Sequence, residues 1–199
     1  MVSFFRKATP ERRFWEWFER NSPRLFAFEK DQDRIFADLT EALYQVQEGL
    51  TFEFGPVEDG RREFVVSADG VLERFDAVRR LVAAAPPLPQ WVVIPFRPPK
   101  SLDFVLDFGG HRLSPGDLWF QAERDGERVG LTLYLPGLTE ENRETLSGAG
   151  FILLDTALGE FAVESQVGFI EFEALPDEPE ALGLRRFPEI LAVFHTVAH

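Results

Sequence analysis

With three His, no Cys and 34 Asp and Glu, chemistry in this 199-residue chain falls to imidazoles and carboxylates. His195 and His199 stand four residues apart, the spacing at which two imidazoles on one helix can share a metal ion. No third ligand accompanies them, and a cationic His near a helix C-terminus is favoured by the helix dipole alone, so no metal is expected. Asp107-Phe108-Gly109-Gly110-His111 brings together a carboxylate, two flexible glycines and an imidazole. A His with a carboxylate partner can serve as a general base, which makes Asp107 and His111 the candidate catalytic residues. The same segment reads equally well as a glycine turn between two strands. Its Asp-Phe-Gly lacks the Gly-rich loop and catalytic-loop motif that a kinase requires. Glu160, Glu164, Glu171 and Glu173 can be drawn into an oxygen-rich patch for a divalent cation, although acids on a solvated strand face are the ordinary outcome.

The hydrolase templates fail: Gly-x-Ser-x-Gly, His-Glu-x-x-His and a phosphate-binding glycine loop do not occur. Without Cys there is no disulfide framework, thiolate nucleophile or Cys-ligated metal, and no cofactor is expected. No window approaches the ~18 consecutive apolar residues of a membrane span. Residues 1–10 carry charge and no apolar run, so a cytoplasmic location is expected.

The elements that must position these residues are marked by punctuation and periodicity. Thr9-Pro10 starts a helix, and Asn21-Ser22-Pro23 is expected to stop it. A second helix spans residues 30–47, with Ile35, Leu39, Leu43 and Val46 on one stripe. Strands at residues 50–54 and 63–66 form a hairpin through the turn-rich residues 55–60, and Asp69-Gly70 ends that unit. A helix with Phe75, Val78, Val82 and Ala85 on one face runs to Pro86-Pro87. Residues 91–96 then read as a covered central strand with an edge or bulge at Pro95. Another strand covers residues 104–108.

A type I′ turn at Asp125-Gly126 would pair Arg124 with Glu127, Glu123 with Arg128 and Phe120 with Leu131, leaving one face apolar. Thr139 caps a short helix ended by Gly148 and Gly150. Residues 151–154 form a brief apolar stretch, residues 167–174 a strand with one wet face, and residues 188–198 a final helix. No internal repeat is visible. Helices, then strands, then mixed elements predict an α+β fold: a mainly antiparallel sheet with helices packed on one face, an N-terminal helical segment and a C-terminal helix. The length suits a single domain over residues 1–199, with residues 1–48 helical and residues 49–199 as the α+β body.

Phe14, Trp15, Trp17 and Phe18 place four large aromatics in five residues, more than one helical face can hide in one core. They are packed inside the chain or cover a partner, and they are the candidate binding surface. Phe4 and Phe5 beside Arg6 and Lys7 can extend it. Residues 1–24 hold six basic and three acidic side chains, a local +3 within a net −13, so the other 175 residues carry −16. Such an acidic chain is a poor ligand for nucleic acid. It suits capture of a basic protein by electrostatic steering, and self-association through the N-terminal aromatics is the other partner considered.

The stretches Phe14-Trp15-Glu16-Trp17-Phe18, Leu50-Thr51-Phe52-Glu53-Phe54-Gly55-Pro56 and Phe64-Val65-Val66-Ser67-Ala68-Asp69-Gly70 resemble an uncharacterised bacterial family. Leu158-Gly159-Glu160-Phe161 and Gly168-Phe169-Ile170-Glu171-Phe172 add to the resemblance. It implies a widespread intracellular fold without an assigned activity and carries over no catalytic residue. The expectation is a non-catalytic binding or regulatory protein whose acidic surface engages a basic partner. The alternative is an enzyme with a cleft built on His111 and nearby carboxylates.

Overall fold

The structure, a computed structural model, describes residues 8–198 and divides into two compact units, Met1–Arg97 and Pro98–His199. The expected contribution of Phe4 and Phe5 lies outside the described residues. The boundary drawn at 48/49 falls inside the first unit.

In the first unit α1 (Pro10–Phe26) begins as expected: Thr9 is extended and its hydroxyl accepts from the Arg12 N–H at 3.3 Å. It does not stop at Pro23. The helix runs three residues further, and its buried Leu25 shows why. Packing of that turn outweighs the missing proline donor, and the Trp91 indole donates to Ser22 Oγ at 2.8 Å beside the break. A 3-10 turn, Phe28–Lys30, leads to α2 (Gln32–Tyr44), which buries Ile35, Leu39 and Leu43.

The sheet of this unit has the order β1-β2-β3, from Thr51–Glu58, Arg61–Ser67 and Trp91–Pro95. β1 runs on through Gly55 to a tight Asp59-Gly60 turn (φ 49 and 75), so the hairpin loop is shorter than expected. Helix α3 (Phe75–Ala83) connects β2 to β3, which pairs parallel to β2 at the sheet edge. The central strand is therefore β2, not residues 91–96. On α3 the buried residues are Phe75, Ala77, Val78 and Leu81, with Leu81 in place of the expected Val82.

The second unit starts with a small hairpin, β4 (Leu106–Phe108) and β5 (His111–Leu113). Its main sheet has the order β8-β7-β6-β9, from Trp119–Asp125 (β6), Arg128–Leu135 (β7), Val167–Ala174 (β8) and Arg185–Arg186 (β9). The hairpin β6–β7 forms in a different register: Asp125 faces Arg128, Arg124 faces Val129 and Phe120 faces Leu133. A type I′ turn over Asp125-Gly126 needs positive φ at both residues, and only Gly126 takes it, at φ 62. Glycine therefore sits first in a Gly126-Glu127 turn, as in type II′. The pairing shifts by two residues, so every side chain keeps its face and the apolar face survives.

Gly148 and Gly150 do not end a helix: α4 (Arg143–Leu158) passes through both. A Cβ on Gly150 would lie 2.3 Å from the Phe172 ring, so this glycine admits a close neighbour. Burial of Leu146, Leu153 and Leu154 outweighs the ~1 kcal/mol helix penalty of each glycine. Gly159 (φ 81) breaks the chain into α5 (Glu160–Gln166), bent 107° from α4. Helices α4 and α6 (Ile190–Ala198) share one core with Phe120, Leu131 and Leu133 of the sheet. Among the described residues no single helix is long and apolar enough to cross a membrane.

Both units repeat one connection order: an antiparallel hairpin, a helical crossover, then a strand parallel to the hairpin's second strand. The order is β1-β2-α3-β3 in one and β6-β7-α4-α5-β8 in the other. Together they make an α+β fold with mostly antiparallel pairing.

Candidate functional site

The hairpin β4–β5 turns on Gly109-Gly110 (φ 57 and 81), as the glycine pair suggested. It pairs Asp107 with Arg112 and Phe108 with His111. Neighbouring strand residues alternate faces, so Asp107 and His111 lie on opposite sides of the hairpin. The expected general-base pair is therefore not assembled. A cavity of about 650 Å³ in the same unit is lined by Lys100, Asp103, Phe104, Ser114, Pro188 and Leu191, with neither Asp107 nor His111 on its wall.

The acidic patch is also dispersed. Glu160 is fully buried on α5, whereas Glu171 and Glu173 are exposed on β8. Among the described residues no group of three His, Asp or Glu is placed to hold a metal. His195 is exposed on α6, and its expected companion His199 lies outside the described residues.

Three of the four N-terminal aromatics are core. Phe14, Trp15 and Phe18 are at most 3% exposed and pack around Phe64, with ring centroids 6.2, 6.2 and 4.8 Å from it. The Trp15 indole donates to the Leu81 carbonyl at 2.7 Å. Trp17 alone is half-buried, beside a groove of about 670 Å³ between α1 and α2 with Arg13, Asp38 and Glu41. Asp38 already accepts from Arg24 at 2.9 Å.

Arg62, a residue that sequence reasoning passed over, is 6% exposed on the core face of β2. The corresponding position after the second hairpin is Val129. The Arg62 guanidinium lies over the rings of Phe28 and Phe26, 4.6 and 5.5 Å from their centroids. Its Nη2 donates to Glu29, while Nε and Nη1 have no hydrogen-bond partner among the described residues. That hydrogen bond from Arg62 holds the Glu29 carboxyl below the ordinary value.

The feature that charge and exposure bring together lies in the second unit. Residues 1–97 hold 14 Lys and Arg against 16 Asp and Glu, residues 98–199 hold 7 against 18, so −11 of the net −13 falls on the second unit. There Phe108, Phe151 and Ile152 are 37%, 46% and 39% exposed. Phe151 rests edge-on against Phe172, with centroids 5.0 Å apart. Phe108 closes over Gly148, where a Cβ would meet its ring at 3.3 Å. Sequence reasoning took residues 151–154 as one short apolar stretch and so missed that Phe151 and Ile152 face out while Leu153 and Leu154 face in.

No known protein family, no curated protein and no solved structure matches this chain.

Proposed function

We propose that this chain is a non-catalytic binding protein that captures a basic protein partner, and that the partner meets the second unit. The observation that carries the proposal is charge: 7 basic against 18 acidic residues in the unit that also exposes Phe108, Phe151 and Ile152. A single-sign surface steers an oppositely charged partner and raises its association rate, and apolar contacts then slow its release. The cytoplasm is the compartment proposed for it, in keeping with a chain that has no Cys to oxidise.

Affinity capture by the full chain from lysate of its source cell, at low and at high salt, tests this. The expected result is a stoichiometric basic protein released as the screening length falls from ~8 Å at 0.15 M to ~3 Å at 1 M. A salt-indifferent complex, or none from a folded bait, contradicts it.

A further inference from the structure

We infer that an apolar stripe along α4 is the seat of that partner, which enters as an amphipathic helix with Lys or Arg flanking its apolar side. This rests on the proposed capture of a basic protein. Glu144, Gly148, Phe151, Ile152 and Asp155 fall at i, i+4, i+7, i+8 and i+11 of α4, which is one helical face. The stripe is ~16 Å long at the helical rise, and a carboxylate stands at each end.

Its floor and one wall are fixed by the fold. A Cβ on Gly109 would lie 2.2 Å from Thr145 Cγ2, so the tip of β4–β5 rests directly on α4. That contact sets the Phe108 ring over Gly148, and Phe172 supports Phe151 from the sheet side. The opposite face of α4 is buried through Leu146, Ala149, Leu153 and Leu154. A helix apolar on both faces is ordinarily enclosed on both. Here the outer face is open at Phe151 and Ile152, beside the half-exposed Phe108 ring.

Charge selects the occupant. Arg143 is the only basic residue of α4, and it donates to Glu140 at 3.1 Å and to the Phe172 carbonyl at 2.8 Å. The exposed Glu144 beside it stays available to an incoming cation. About three turns of a partner helix, with apolar anchors at i, i+3 or i+4 and i+7, match the stripe's length.

The test uses the full chain and three labelled probes: a Leu/Lys amphipathic helix of about 18 residues, a Leu/Glu helix of the same pattern, and a poly-lysine of equal charge. Fluorescence anisotropy reads their affinities for the unaltered protein and for Phe151→Ser with Ile152→Ser. The Leu/Lys helix is expected to bind about tenfold tighter than poly-lysine, and the double variant to erase that margin. Circular dichroism checks folding. If the double variant unfolds, Glu144→Lys, an exposed site, is expected to weaken the Leu/Lys helix about threefold or more.

Equal Leu/Lys binding by the unaltered and variant proteins would overturn the seat and leave the basic-partner proposal standing. Failure of both lysine probes would remove that proposal as well. A protein that sediments as a dimer when unaltered and as a monomer when varied would show that a second copy covers the stripe, which also overturns the inference.

Discussion

Replacing Trp15 by Ala is expected to destabilise the first unit severely, and replacing its neighbour-but-one Trp17 is not. Trp15 is 2% exposed, with Phe14 and Phe18 edge-on at 5.0 and 5.3 Å. Truncating a fully buried Trp costs about 3–5 kcal/mol, a large share of the ~5–15 kcal/mol that holds a domain together. The lost indole hydrogen bond adds little, because the Leu81 carbonyl also accepts from the Ala84 N–H at 3.2 Å. Trp17 lies at the groove, its ring 6.2 Å from Phe14, and its loss should cost about 1 kcal/mol. Urea unfolding followed by Trp fluorescence reads mainly this unit, since Trp15, Trp17 and Trp91 belong to it and only Trp119 to the other. The two variants together are expected to unfold the unit, not to release a smaller folded particle as an interface of N-terminal aromatics would require. An unchanged midpoint for Trp15→Ala, or equal losses for the two single variants, would refute this placement of the aromatics.

Glu29 is held below its ordinary 4.5 by the hydrogen bond from Arg62, so the pair's stabilisation is full above that value and drains as pH falls through the lowered one. Glu29→Gln should flatten the acid limb of the first unit's urea midpoint between about pH 6 and pH 3; a slope as steep as the unaltered protein's would contradict the pairing. Glu29→Ala should also lower stability at neutral pH, and adding Arg62→Met should restore it, because a Met fits a core face where a lone cation does not. Gly150→Ala places a Cβ 2.3 Å from the Phe172 ring; overpacking of about 1–3 kcal/mol against a helix gain of ~1 kcal/mol predicts a small net loss by thermal unfolding. Gly109→Ala meets Thr145 and a φ of 57, a strain of about 1–3 kcal/mol that should speed hydrogen exchange across β4–β5; unchanged exchange would count against the seated hairpin.

What could be read in the residues was local. Thr9-Pro10 carries its own capping chemistry, and the periods of α2 and of residues 167–174 carry their buried faces. The misread signals were those that tertiary contact overrides. Pro23 lies inside α1 because Leu25 beyond it is buried. Gly148 and Gly150 look like stop signals and instead receive Phe108 and Phe172. The parallel pairings of β3 with β2 and of β8 with β7 are non-local, so no turn chemistry announces them. For the candidate site, Asp107 and His111 were found as residues, but strand parity separates them, and parity depends on a register that their spacing leaves open. The negative charge was plain in the composition. Its concentration after residue 97 was not, because no glycine- or serine-rich linker marks the division.

Zero-length coupling of carboxylates to lysines in the captured complex tests whether a basic partner binds at the acidic second unit. Mass spectrometry then maps the joined residues. Partner lysines are expected to be joined to Asp and Glu of residues 98–199, Glu144 among them. Coupling confined to residues 1–97, or no complex to couple, would contradict binding there.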